Sequence, residues 1–320
     1  MPINSKNKDS LFFQGFKQEI CIILHSYYKK AFINPSWLIM SIAGRLSIIR
    51  ELVKLLSKKN KAQRYNLAAS AFDPVNIEFA VKSLQKEGYW EGIKLPKHIL
   101  KQILQFTMTG ECYGNSNPRL GFKIYQKKQA EQKSQLVFNK AEYFNSSSRC
   151  PIIQELSTDP LLLEIARQYL QTKPVFTGSR LWWIFPVDDS SYDPRRTVSY
   201  FHYDLDDYSC VRFFFYLTDV DSNSGPHICV RGSHRNKKLN HVLSPFKRRT
   251  DEDIADYYGE ENIITISGEA GFGFAEDTIA YHKAARPLTK SRLILQLQYA
   301  IKDYGNHNDF KDEALLKNLV

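Results

Sequence analysis

The chain has 320 residues, 43% of them hydrophobic and 13% aromatic, ample for a packed core and inconsistent with disorder along its whole length. Its five cysteines, Cys21, Cys112, Cys150, Cys210 and Cys229, are odd in number and share no C-x-x-C spacing. That argues against a disulfide framework or a zinc ribbon, and for a reducing, cytoplasmic setting. The net charge of +10 sits almost wholly in residues 1–70, which hold 12 Lys/Arg against 3 Asp/Glu, so no nucleic-acid partner is expected for the main body.

The first ten residues are polar and no secretory signal is expected. The longest uncharged apolar stretch, Ala31 to Gly44, has 14 residues, short of the ~20 that span a bilayer. Residues 11–59 read as helical. Between Arg45 and Lys59 the helical period puts Leu46, Ile49, Leu52, Val53 and Leu56 on one face. Two readings stand: a helix packed on its own protein by that face, or a basic amphipathic helix that touches an acidic membrane surface or a protein partner. Residues 57–74 read as a lysine-rich linker ending in Asp73-Pro74. The chain thus divides into a basic helical extension and linker (1–74), a main domain (75–305) and a C-terminal tail (306–320).

Helices are predicted from about Val75 to Glu87, stopped by Gly88, and from Pro96 to about Phe106. Residues 110–150 read as strands and loops. A further helix runs from Pro160 to Leu170, capped by Asp159. From Val175 onward short aromatic and β-branched segments alternate with turns: Phe176–Phe185, Thr197–Tyr203, Cys210–Leu217, Ile228–Arg231, Ile263–Ile266, Gly271–Ala275 and Ser291–Ala300. Seven such segments with little helix between them imply an antiparallel sandwich or barrel.

His202-Tyr203-Asp204 lies at the end of one predicted strand, where residues two apart share a face. An imidazole and a carboxylate so placed supply two ligands of a facial triad, and two histidines with one carboxylate leave three positions open on an octahedral iron(II). An isolated His-x-Asp arises readily by chance. Here His282 follows 78 residues beyond Asp204, and Arg292 ten residues later, opening a regular strand. A buried arginine beside a metal site wants a carboxylate partner, which its planar fork binds through two hydrogen bonds. His227, His234 and His241 are rival ligands read as turn or surface residues, and Asp206 and Asp207 compete with Asp204. One of Trp182 and Trp183 should face the barrel interior, as core or as pocket lining, and Tyr200 and Tyr203 carry the same two readings.

With these residues in this order, the chain resembles the phytanoyl-CoA dioxygenase family of iron(II)/2-oxoglutarate oxygenases over roughly residues 76–302. The resemblance is carried by Phe201-His-Tyr-Asp204, Tyr216-Leu-Thr-Asp-Val220, Gly225-Pro226 leading to Arg231-Gly-Ser-His-Arg235, Gly271-Phe-Gly-Phe274, His282-Lys283 and Arg292-Leu-Ile-Leu-Gln-Leu-Gln-Tyr299, with Glu87-Gly-Tyr-Trp90 and Asp159-Pro-Leu-Leu162 ahead of them. It implies a mainly β fold with flanking helices, a double-stranded β-helix (jelly-roll, cupin-like) barrel. It also implies that His202, Asp204 and His282 are iron ligands, and that Arg292 binds the distal carboxylate of 2-oxoglutarate. Fe(II), 2-oxoglutarate and O2 are the implied cofactor, co-substrate and oxidant.

Two departures stand out: Arg231 replaces a proline common before Gly-Ser-His, and Ala284 occupies a position where a small polar residue often helps hold the co-substrate. Retention of Asp204 favours hydroxylation over halogenation, since halide-transferring relatives carry a small residue there. The expected activity is hydroxylation of an unactivated carbon of a small metabolite or acyl-type substrate, with release of succinate and CO2. The alternative is a catalytically silent binding or adaptor protein on the same barrel.

Overall fold

Side chains alternate across a β-strand, and in this chain the alternation sorts apolar from polar residues. On β11 (Arg292–Ala300), Leu293, Leu295, Leu297 and Tyr299 join the large core, while Arg292, Gln296 and Gln298 are buried on the opposite face with Ile294. On β6 (Cys210–Tyr216), Val211, Phe213 and Phe215 take the first face; Arg212, Phe214 and Tyr216 take the second. One face therefore packs against helices, and the other encloses a polar interior.

The computed structural model describes residues 25, 27–57, 64–244, 246–305 and 309–320. The remaining strands are β1 (Tyr89–Lys94), β2 (Glu111–Gly114), β3 (Gly121–Lys123), β4 (Lys140–Tyr143), β5 (Val175–Ile184), β7 (His227–Val230), β8 (Ile263–Ile266), β9 (Phe272–Glu276) and β10 (His282–Ala284). They form an eight-stranded sheet in the order β1-β9-β6-β11-β5-β4-β2-β3 and a three-stranded sheet in the order β10-β7-β8. Strand pairing is antiparallel in both. An isolated bridge between His202 and His282 extends the small sheet beyond β10. The small sheet lies against the β9-β6-β11-β5 part of the large one, with Phe214, Phe274, Ile294, Cys229 and Ile266 between them. This is a double-stranded β-helix, mainly antiparallel β with flanking helices.

The predicted strand over 197–203 does not form. Pro194–Thr197 is a helical turn, and only Phe201 and His202 make bridges. Asp193 accepts from the Arg195 N–H and Pro194 takes the first helical position, so the sequence caps a turn where the apolar pattern suggested a strand. β1, which pairs with β9, carries no strong alternation and was not anticipated.

Helices α3 (Ile77–Glu87), α4 (Lys97–Thr109), α6 (Pro151–Ser157) and α7 (Pro160–Leu170) cover the outer face of the large sheet, and α5 (Lys127–Ser134) lies beside β3. The Asn76 side chain caps α3 through the Phe79 N–H, and Gly88, at φ +87°, ends it. Asp159 caps α7 through the Leu161 N–H.

In the basic extension, α1 (Pro35–Ala43) buries Trp37 and Met40 against Tyr203 and Tyr281. Helix α2 (Ser47–Ser57) lies the other way round from an ordinary surface helix. Its buried residue is Arg50, whereas Leu52 and Leu56 are 53% and 69% exposed. Packing on its own protein by the apolar face, the first of the two readings, is therefore not what occurs. The tail returns to the domain: Asp309 is buried and accepts from Ser146 and Ser179, and the Leu319 N–H donates to Gly121. Among the described residues, no helix is long and apolar enough to cross a membrane.

Candidate metal centre

His202 and His282 face each other across their bridge, each N–H donating to the other's carbonyl at 3.0 and 2.9 Å. The Asp204 N–H donates to the Thr278 carbonyl at 2.8 Å. Backbone bonds thus bring three residues, 78 or more positions apart in part, to one spot. In both histidines Nδ1 lies 3.0 Å from a backbone carbonyl, Tyr200 O for His202 and Ala280 O for His282. A carbonyl only accepts, so Nδ1 carries the hydrogen and Nε2 keeps its lone pair for a metal.

One donor atom from each of His202, Asp204 and His282 lies within 4.8 Å of the others, with His282 Nε2 3.8 Å from Asp204 Oδ2. Adjacent donors around one ion at ~2.1 Å stand roughly 3 Å apart, so small inward shifts complete such a set. Protonation suits it as well. Burial pushes the His282 imidazole down to about 3 and lowers that of His202, keeping both neutral. Burial alone would raise the Asp204 carboxyl, but the Arg212 guanidinium holds it well below the usual range.

Arg212, on the inner face of β6, reaches Asp204 with Nη1 and Asp206 with Nη2, and its Nε donates to Gln298 Oε1 at 2.7 Å. It fixes the Asp204 carboxylate and occupies Asp206. Asp207 is buried elsewhere and accepts the N–H groups of Ile301 and Lys302 at 2.7 and 2.8 Å. Neither neighbour joins the donor cluster.

Of the rival histidines, none is a surface residue. His227 is buried on β7, its Nε2 2.8 Å from Glu276 Oε2 and its ring centroid 5.5 Å from that of His282. Glu276 is fully buried, and burial pushes its carboxyl up to about 8. Its second oxygen lies 3.9 Å from His282 Nδ1 and has no hydrogen-bond partner. His234 sits in a buried turn against Gln85 O, and His241 is buried with Nε2 2.9 Å from Asp253.

Arg292 is 2% exposed on the inner face of β11. Nη1 donates to the carbonyl of Gly225, a residue at φ +72° whose added Cβ would stand 2.5 Å from Ala285 O. Nε has no hydrogen-bond partner, and among the described residues no carboxylate pairs with this guanidinium. A buried cation without a counter-charge is costly and suits an anionic ligand.

A cavity of about 170 Å³ opens onto His202 and Asp204, bordered by Arg195, Val198, Tyr200, Lys247 and Arg248. Tyr200 and Tyr203 both line it, and Tyr203 is also part of the core under α1. Trp182 lies with the residues between the sheets and Trp183 on the helix side, one inward and one outward as alternation requires. Sequence reasoning missed Arg212, Glu276 and the place of His227. The signal for the first two was present: each is a charge at an inward position of an otherwise apolar strand.

No family model and no curated protein matches the chain. Solved structures do. The non-heme α-ketoglutarate-dependent epimerase SnoN from nogalamycin biosynthesis aligns with a TM-score of 0.50 at 14% identity, covering 71% of this chain and 84% of that one. HygX from Streptomyces hygroscopicus, with nickel and 2-oxoglutarate bound, gives 0.47 at 15% identity over 71% and 87%. EctD from S. alaskensis, with 2-oxoglutarate and 5-hydroxyectoine, gives 0.46 at 14% identity over 81% and 96%. At these identities the SnoN likeness is one of fold.

Proposed function

We propose that this chain is an iron(II)- and 2-oxoglutarate-dependent oxygenase, of the phytanoyl-CoA dioxygenase type, that hydroxylates an unactivated carbon of a small metabolite or acyl-type substrate. The observation that carries the reading is the pairing of a His-Asp-His donor cluster with a buried arginine that lacks a carboxylate. His202, Asp204 and His282 hold the metal, leaving positions for a chelating co-substrate and dioxygen. Arg292 anchors the far carboxylate of 2-oxoglutarate through a charge-assisted hydrogen bond. Bound together, iron, 2-oxoglutarate and dioxygen supply the oxidising chemistry, with succinate and CO2 as co-products.

The protein's own part is positioning. Arg212 orients Asp204, and the Tyr200 and Ala280 carbonyls orient the two imidazoles. The apolar walls of Phe214, Phe274 and Ile294 exclude water from the interior. Arg195, Lys247 and Arg248 around the opening favour a substrate that bears a carboxylate or phosphate.

The test is anaerobic addition of iron(II) and then 2-oxoglutarate to the purified protein, followed in the visible range. A charge-transfer band that needs both additions and is absent in His202→Ala supports the chelate. A folded protein with no band sinks the reading and leaves the silent adaptor. Hydroxylation itself is read as a one-oxygen mass gain in the product, coupled to succinate release.

A further inference from the structure

We infer that α2 docks on an anionic bilayer surface. Ile48, Leu52, Leu55 and Leu56 fall at i, i+4, i+7 and i+8, one stripe of a helix, and each is more than half exposed. Ile39 and Ile42 of α1 are exposed to the same degree. The opposite side of α2 is occupied by its charges: Arg50 donates to the Gly44 and His234 carbonyls, and the Lys54 ammonium lies 4.3 Å over the Tyr169 ring. A helix that spends its cations on the protein and turns leucines outward is not built to face water.

The stripe belongs to a basic part of the chain: residues 25–64 hold nine Lys/Arg against a single Glu. An exposed apolar stripe in so basic a segment matches the headgroup region of an acidic membrane, whereas two copies of so basic a segment repel each other. The docking helices are also tied to the metal-site opening: Arg45, between α1 and α2, donates to the Ser244 carbonyl, three residues before Lys247.

The experiment is flotation of the full chain with vesicles of phosphatidylcholine alone or with about a third phosphatidylglycerol, at physiological salt. Wild type should float with the anionic vesicles only, and Leu52→Ser/Leu56→Ser should reduce the bound fraction at least tenfold with an unchanged unfolding midpoint. Wild type left behind by anionic vesicles overturns the proposal. So does vesicle binding that the double substitution leaves intact. Dimerisation lost in that variant would assign the face to a second copy instead, and vesicle binding that appears only after residues 1–24 are removed would assign it to that segment.

A second observation carries its own inference, which rests on the co-substrate reading above. The register of β10 and β7 sets Ala284 directly opposite His227. We propose that His227 supplies, from across the strands, the polar contact to the 2-oxo acid that Ala284 cannot make. Glu276 holds Nε2, and among the described residues no partner reaches Nδ1. The ring lies beside the expected metal site: its centroid is 5.5 Å from that of His282, with the two planes 20° apart.

The test is the dissociation constant of 2-oxoglutarate from the anaerobic iron(II) protein, read from the charge-transfer band without turnover. His227→Phe, and His227→Gln, which places its nitrogen toward Glu276, should weaken binding tenfold or more. His227→Asn, which keeps a nitrogen near Nδ1, should stay near wild type. Ala284→Ser should restore binding to His227→Phe, and iron(II) affinity should not change in any of them. Unaltered 2-oxoglutarate binding in His227→Phe overturns the inference. A wild-type protein that binds iron(II) but gives no band overturns the co-substrate reading itself.

Discussion

His202 and His282 exchange both backbone hydrogen bonds of one antiparallel bridge, and their ring centroids lie 4.3 Å apart. The bridge is made by main-chain atoms, so side-chain substitution leaves it in place. His202→Ala and His282→Ala should therefore each abolish tight binding of Mn(II) or Fe(II) while shifting the unfolding midpoint of the metal-free protein little. Because both imidazoles serve one ion, the double substitution should lose less affinity than the sum of the two single losses. Calorimetric titration of the three variants checks this, and additive losses would argue for two separate sites.

Arg292 predicts effects of opposite sign on binding and stability. Its guanidinium is buried without an acidic partner. Arg292→Met removes an uncompensated charge and keeps most of the volume, so the metal-free protein should be as stable as wild type or more so. The same change deletes a charge-assisted bond, and 2-oxoglutarate affinity should fall by about 1.5–3 kcal/mol, roughly 10- to 150-fold. A parallel fall in both quantities would mean the arginine is structural.

Arg212 holds two carboxylates, Asp204 and Asp206, whose side chains are 32% and 28% exposed. Arg212→Leu should destabilise the metal-free protein by about 2–3 kcal/mol, below the range for fully buried pairs because water still reaches both acids. Added Mn(II) should recover part of that loss, since the ion replaces the missing positive charge beside Asp204. Thermal unfolding with and without Mn(II) tests the claim; a loss that the ion does not reduce would separate Arg212 from the metal site.

The legible part of this molecule was what local pattern encodes. Helix α7 is bounded by Asp159 and Pro160, signals that act within one turn, and its predicted span coincides with the observed one. The long strands β5, β6 and β11 follow their apolar alternation to within a residue or two. The three donor residues were readable by type and order, though their approach depends on a two-residue bridge that no periodicity marks. What stayed hidden depends on contacts distant in sequence. Glu276 meets His227 across 49 positions, and α2 turns its apolar side outward because Arg50 finds carbonyls 6 and 184 residues away. Hydrophobic pattern alone orients such a helix the other way, since it cannot register that buried carbonyls need a cation more than the core needs another leucine.

The pH dependence of stability follows from His282 and Glu276, whose shifts oppose each other. His282 titrates near 6.5 when unfolded and at about 3 when folded. Its contribution is present above 6.5 and is lost as pH falls from there toward 3, because only the unfolded chain takes up the proton. His227 and His202, both lowered by burial, add to this acid limb. Glu276 moves the other way, from 4.5 to about 8. Its contribution is present below 4.5 and is lost as pH rises toward 8, because the unfolded chain ionises first. Between 4.5 and 6.5 the two slopes offset each other, while from 6.5 to 8 the Glu276 slope acts largely alone. The metal-free protein should therefore be more stable near pH 6 than near pH 8. Glu276→Gln should flatten that alkaline limb and steepen the fall from pH 6.5 to 4.5, where Glu276 no longer offsets the histidines. Urea unfolding of both proteins at pH 5, 6, 7 and 8 measures the limb directly, and a wild-type curve that keeps rising to pH 8 would show Glu276 to be ionised in the folded protein.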